Sequence, residues 1–169
     1  STYHLIKQKE KELGETKDQI EIENSKTEYK ILRPNLLIPA LRILSENKDH
    51  DYPQEIFEIG AVFSTDNSKE TGIKETQNLL ILCAPANFTK MKKILDYLFS
   101  SIDLESKISE SSHPNLIDGR TASILVNGEK IGYLGEIHPE TLRSWLIKMP
   151  CAVLEISLEE IFNSLEEEN

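Results

Sequence analysis

Apolar residues recur along this chain in two periods, and each stretch announces its element by the period it keeps. Leu36, Leu37, Ala40, Leu41 and Leu44 share one face at helical spacing, so a helix is expected over 36–46. Pro34 fixes the entry, Asn35 is suited to cap the first turn, and Pro39 removes only an early hydrogen bond if the helix starts at Leu36. Residues 47–51 end it in polar loop chemistry, and residues 54–63 read as a strand buried on both faces or nearly so. Asp66 to Thr76 reads as a polar hairpin loop, Leu79 to Ala84 as the return strand, and Pro85 as its stop. Phe88, Met91, Lys92, Leu95, Leu98 and Phe99 trace an amphipathic helix.

Asn127-Gly128 is the strongest hairpin signal in the chain, because both turn positions favour positive φ. It joins a strand at Ser123–Val126 to one at Lys130–Ile137. Pro139 suits the first turn of a helix carrying Leu142, Trp145 and Leu146. Val153 to Ile156 gives a last strand, and Ser157 with Glu160 forms a capping box for a final helix. Near the start, Ile20-Glu21-Ile22 alternates as a short strand turned by Asn24-Ser25-Lys26, while residues 7–19 read as an exposed loop or short solvated helix. Hairpins mixed with helices, without β-α-β alternation, predict an α+β fold: an antiparallel sheet flanked by helices.

The length of 169 residues suits a single domain spanning 1–169, which buries roughly 70% of its unfolded surface. A net charge of −10 argues against this chain gripping a phosphate backbone alone, since such binding needs clustered Lys and Arg. From Glu155 onward there are six glutamates and no base, so residues 164–169 are expected to fray as an acidic tail; a docking surface for a basic partner is the sharper reading. Cys83 and Cys151 stand alone in apolar surroundings, which points to free thiols in a reducing, cytoplasmic setting. No 18-residue apolar run and no leader pattern occur, so no membrane partner is expected, and the start at Ser1 suggests a piece of a longer polypeptide.

Candidate chemistry is sparse. Cys-x-x-Cys and His-Glu-x-x-His are absent, so no metal site is expected. His138, before Pro139, is a helix-entry residue or a general base. Glu58, among apolar neighbours, is either an acid with a raised pKa or a carboxylate paired with a base such as Arg33 or Arg120. Arg120 follows Gly119 without a glycine-rich loop, which favours structural pairing over phosphate binding. Trp145 lacks the basic interleaving of a base-stacking platform, so helix packing is its simpler role.

Several strings nevertheless fall in a familiar order. They are Glu23 to Lys26, Leu32-Arg33-Pro34-Asn35 to Pro39, Ile56-Phe57-Glu58-Ile59-Gly60-Ala61-Val62-Phe63, His113-Pro114 to Gly119-Arg120, Asn127-Gly128, Gly132 to Pro139, and Leu154-Glu155-Ile156. Together, over about residues 20–162, they resemble the catalytic-like domain of the phenylalanyl-tRNA synthetase beta subunit family, of archaeal or eukaryotic type. The resemblance implies a class II aminoacyl-tRNA synthetase fold and an alpha subunit partner, within an α2β2 assembly, that holds the working site. It also implies ATP and magnesium for the parent complex, and tRNA engaged through the whole complex.

Active class II strands resemble Phe-Arg at their end, where the arginine braces the ATP phosphate; here Phe63 is followed by Ser64. The third class II motif, laid on Val153 to Ile161, has Val153, Glu155 and Ser157 in glycine places and Glu160 in the arginine place. The expectation is therefore a domain with no catalytic, cofactor-binding or metal residue of its own. Its work would be assembly through an interface at Arg33, Pro34, Leu37 and Leu41 and through the sheet edge, with exposed leucines on the 36–46 helix as the sign. A free-standing amino-acid or adenylate sensor is the alternative, and a small hydrolase using Glu58 or His138 is a third reading.

Overall fold

Hairpins set the architecture, and their turns follow from local backbone chemistry. In the computed structural model, which describes residues 4–10, 20–23 and 25–167, Asn127 and Gly128 both adopt positive φ, at 51° and 86°. They close strands β6 (Leu116–Val126) and β7 (Glu129–Ile137). A second hairpin joins β3 (Gln54–Thr65) to β4 (Ile73–Ala84) in an unbroken ladder from Gln54↔Ala84 to Thr65↔Ile73. With β5 (Lys107–Glu110) and β8 (Ala152–Ser157) these form a six-stranded antiparallel sheet in the order β3-β4-β8-β7-β6-β5. A small second sheet pairs β1 (Leu5–Lys7) with β2 (Tyr29–Leu32).

Each face of the large sheet has its own cover. Helix α1 (Leu37–Glu46) lies on the first face, where Leu36, Leu37, Leu41 and Leu44 pack with Val62, Leu80, Leu82 and Val153. On the second face, α2 (Phe88–Ser101) brings Met91, Leu95 and Phe99 onto Leu134, Leu154 and Ile156. The Asn87 side chain caps α2 by accepting from the Lys90 amide at 2.9 Å. Helix α4 (Leu158–Glu167) adds Ile161 to the same core, and the Ser157 hydroxyl accepts from the Glu160 amide at 3.3 Å. Between β7 and β8 stands the short helix α3 (Pro139–Ser144), entered through Pro139.

The α+β expectation matches this sheet and its helices, and several element boundaries differ in instructive ways. Residues 54–63 are not buried on both faces: β3 is an edge strand, with Phe57 77% and Ile59 56% exposed. The polar stretch after Asp66 continues the ladder, so the loop shrinks to 66–72 and β4 begins at Ile73. Strand β6 starts at Leu116 rather than Ser123, and β5, exposed throughout, has no apolar signature at all. Ile20 to Ile22 makes backbone bonds with Lys30 and Leu32 but forms only an isolated bridge. The exposed loop or short solvated helix expected over 7–19 is met at its start only in part, by the exposed, helical Gln8 and Lys9. Lys7 ends β1 and Glu10 is buried, gripped by Arg42 in two hydrogen bonds of 2.6 and 2.7 Å; residues 11–19 lie outside the described residues. Of the tail, 164–167 continue α4, with Ser164 buried, and 168–169 lie outside the described residues. Cys83 and Cys151 are buried free thiols, and burial pushes Cys151 up to about 12.

Two glycines separate backbone conformation from packing. A Cβ on Gly132 would stand 2.2 Å from the Glu155 carbonyl oxygen of the neighbouring strand, whereas one on Gly128 would meet only the strain of its positive φ. Gly132→Ala is expected to cost about 3 kcal/mol or more, and Gly128→Ala about 1 kcal/mol. Urea unfolding of both variants checks the order; equal losses would contradict it.

Candidate functional site

The face of β3 singled out by the sequence is reached from β2. Leaving that strand, Arg33 donates its amide to the His4 carbonyl at 2.9 Å and accepts the Phe63 amide at 3.0 Å. Its guanidinium is thereby laid along β3. Nε donates to the Ala61 carbonyl at 2.7 Å and Nη1 to Glu58 Oε1 at 2.9 Å. Arg33 is 0% and Glu58 6% exposed. Gly60 lies beneath them, and a Cβ there would stand 2.2 Å from Nη2. The glycine of this strand thus makes room for the chain's own arginine.

A second carboxylate continues the layer across the sheet. Glu155, on β8 and 2% exposed, accepts from Asn78 Nδ2 at 2.9 Å, the Tyr133 hydroxyl at 2.8 Å and the Leu36 amide at 3.0 Å. The last of these is an orphan amide at the start of α1, so Glu155 supplies the anion that a helix N-terminus attracts. Asn35 Oδ1 takes the Ile38 amide at 3.2 Å, which completes the cap. Burial raises the Glu155 carboxyl above its usual range, opposed by the Asn78, Leu36 and Tyr133 hydrogen bonds. Burial and Glu155 together hold the Tyr133 phenol well above its own. His113 stacks on Tyr133 with ring centroids 4.5 Å apart, and its Nδ1 accepts the Asn115 amide at 3.2 Å.

This geometry is a filled surface. Where an open site would leave polar groups to a ligand, here each acceptor and cation is turned onto another part of the same chain. His113 also lines a shallow cleft with Ser112, Asp118 and His138.

Comparison with known proteins gives this architecture its relatives. The family model for "Phenylalanyl tRNA synthetase beta chain CLM domain" matches residues 1–158. The chain belongs to that family. The phenylalanine–tRNA ligase beta subunit of Thermococcus kodakarensis is 40% identical over 147 residues, covering 85% of this chain and 25% of that protein. That of Methanocella arvoryzae is 39% identical over 145 residues, with 82% and 26% covered. The chain therefore spans about a quarter of the length of these relatives. Among solved structures, pyrrolysyl-tRNA synthetase from Desulfitobacterium hafniense superposes with a TM-score of 0.80 at 17% identity, over 99% of this chain and 62% of that one. The fold is that of a class II synthetase core.

Against this family background, the sequence-predicted residues fall unequally. Glu58 pairs with Arg33, while Arg120 binds Glu136 instead at 2.7 Å. His138 is the cap of α3, its Nδ1 accepting the Glu140 amide at 3.2 Å. Trp145 is packed at 6% exposure. The interface expected at Arg33, Pro34, Leu37 and Leu41 is not offered to solvent by this chain. Arg33, Leu37 and Leu41 are 0–2% exposed and Pro34 is half-buried, because α1 spends its leucines on the sheet of its own domain. Among the described residues no group of His, Cys, Asp or Glu is arranged to hold a metal, and no helix is long and apolar enough to cross a membrane. Tyr133 and Asn78 escaped the sequence reading. Their only signal was Glu155, a lone acid in an apolar strand that needs donors from somewhere.

Removing one member of the buried pair should be worse than removing both. Arg33→Met strands Glu58 and is expected to cost about 3–5 kcal/mol, with much of that recovered in Arg33→Met/Glu58→Met. Denaturant unfolding of the two single variants and the double variant measures the coupling; simple additivity would refute it.

His113 supplies a pH signature. Burial, with Lys130 nearby, lowers its pKa from 6.5 to about 4. The folded state therefore favours the neutral ring, so this contribution is complete above pH 6.5 and drains away as pH falls towards 4. The partial exposure of the ring holds it to the order of 2 kcal/mol. His113→Gln should flatten the stability profile between those pH values, which unfolding at a series of pH values checks.

Proposed function

We propose that this chain is a non-catalytic, class II-like domain of a cytoplasmic phenylalanine–tRNA ligase beta subunit, working in assembly with the alpha subunit. The observation that carries the reading is the contrast between the two faces of β3. On one, Glu58 and Gly60 lie under Arg33; on the other, Phe57 and Ile59 stand in water beside the half-buried Leu79 and Ile81 of β4. Exposed large apolar side chains on an unpaired edge strand are a liability that a bound partner removes. Among the described residues no strand pairs with the outer edge of β3. The docking surface is accordingly moved from the leucines of α1 to the sheet edge.

The filled face supports the absence of adenylate chemistry. ATP does not fit these residues: the one guanidinium over β3 is neutralised by Glu58, and a carboxylate holds the N-terminus of α1. ATP- and magnesium-dependent charging of tRNA with phenylalanine then belongs to the alpha subunit in an α2β2 complex.

The test has two arms. Phe57→Asp/Ile59→Asp, which touches no core position, is expected to leave the chain folded and to reduce its co-purification with the alpha subunit at least about tenfold. Thermal shift with phenylalanine, alone and with ATP present, should show no stabilisation of the isolated chain by the amino acid. Wild-type co-purification by the double variant would end the interface assignment. Stabilisation by phenylalanine would end the non-catalytic reading in favour of a ligand-binding one.

A further inference from the structure

The chain has four arginines, and three are spoken for: Arg33 pairs with Glu58 at 2.9 Å, Arg42 with Glu10 at 2.6 Å and Arg120 with Glu136 at 2.7 Å. Arg143 is in no ion pair among the described residues. It lies at the end of α3 and lines a cleft of about 580 Å³ with Lys48 and Lys148, which are likewise unpaired there; one acid, Asp49, shares the lining. A chain carrying a net charge of −10 thus gathers three unneutralised cations about one hollow. The two loops that form it are tied together, since the Ser45 hydroxyl at the end of α1 donates to the Trp145 carbonyl.

The hollow also has an apolar side, and part of it is held at a conformational cost. Tyr52 contributes a half-buried ring. Leu146 stands at φ 57° in the turn that closes α3, with the Ile147 amide returning to the Leu142 carbonyl at 2.9 Å. Glycine is the residue favoured at such a position. The leucine gains little from folding there, because its side chain is 65% exposed at the cleft. A strained backbone that presents an apolar group beside unpaired cations points to a ligand with a flat apolar body and a negative end.

We propose that this cleft binds a nucleotide unit, its base against Tyr52 and Leu146 and its phosphate on Arg143, Lys48 and Lys148. The planar guanidinium fork suits phosphate oxygens, and the lysines add point charges. The overall negative charge argues against an extended phosphate track, so the contact is local: a free nucleotide, or one nucleotide of an unpaired RNA segment. The cleft is lined by residues other than Phe57 and Ile59 and does not depend on the assembly role proposed above.

The experiment is fluorescence polarisation of a labelled, 5′-phosphorylated single-stranded hexaribonucleotide with the 169-residue chain, and competition by AMP. Saturable binding is expected, with log affinity falling with log salt at a slope of about −0.7, as one phosphate neutralised on a single strand requires. Arg143→Ala and Lys148→Ala should each weaken binding about fivefold or more. Leu146→Gly separates ligand contact from folding. It should weaken binding yet raise the melting temperature by about 1–4 °C, because glycine tolerates the left-handed turn. Competition by AMP at concentrations near the RNA affinity assigns the site to free nucleotide; RNA binding without it assigns the site to a strand. Absence of saturable binding, unchanged affinity in Arg143→Ala and Lys148→Ala, or displacement of the RNA by an acidic phenylalanine-containing peptide but not by unlabelled RNA would overturn the proposal.

Discussion

The Arg33–Glu58 contact is the constraint around which the first face of the sheet is arranged. A fully buried guanidinium loses its hydration and is tolerable only when its donors and charge are met inside the protein. Glu58 meets the charge, the Ala61 carbonyl takes Nε, and the backbone of Arg33 itself bonds His4 and Phe63. These contacts fix where the β2 strand exits, and hence where α1 begins. They also demand a residue without a side chain at position 60, since any Cβ would collide with the guanidinium. Buried pairs of this kind contribute modestly to net stability, yet they select one register of β3 over its neighbours. A one-residue slip would leave both charges unpaired in an apolar layer.

Glu155 solves a related problem at the other end of the same layer. Helix α1 starts in the interior, where its first amides cannot reach water. The carboxylate on β8 takes one of them, and Asn78 and Tyr133 supply its remaining donors. The sheet and the helix are thereby joined through a charge rather than through apolar contact alone. An anion-attracting helix end of this kind is a common place for phosphate to bind. In this chain the anion is built in, and the layer is closed by Arg33 and by side chains of β3, β4, β7 and β8.

How much of this was legible in the sequence depends on how local the controlling physics is. The Asn127-Gly128 turn, the Ser157 cap and the amphipathic α2 each rest on interactions within a few residues, and the pattern alone located them. The β5 strand was missed because four exposed residues carry no hydrophobic period. Strand β3 reads as buried on both faces, because an apolar run looks the same at the centre of a sheet as at its edge. Only the strand order separates the two. For Glu58 the sequence offered Arg33 or Arg120 as partners, and a choice between residues 25 and 62 positions away needs the tertiary fold. The leucines of α1 posed the opposite problem. Their stripe was read correctly, but a stripe does not say whether it meets its own sheet or another chain.

That ambiguity is resolved by asking where polar satisfaction stops. Inside the domain, the buried charges Glu10, Arg33, Glu58 and Glu155 have partners, although among the described residues the Trp145 indole N–H and Arg33 Nη2 meet no acceptor. The other costs sit on the surface and come in two kinds. Phe57 and Ile59 expose apolar area that folding alone would hide, and Leu146 holds a backbone conformation that a glycine would adopt more easily. Neither feature helps this chain fold, and each is next to groups that complement a different kind of contact: apolar strand neighbours in one case, unpaired cations in the other. A domain that keeps a class II scaffold while closing its sheet face would be expected to retain such costs only where something outside it is touched. The two features are built from different side chains, which is why an assembly role and a nucleotide contact are separable claims about the same chain.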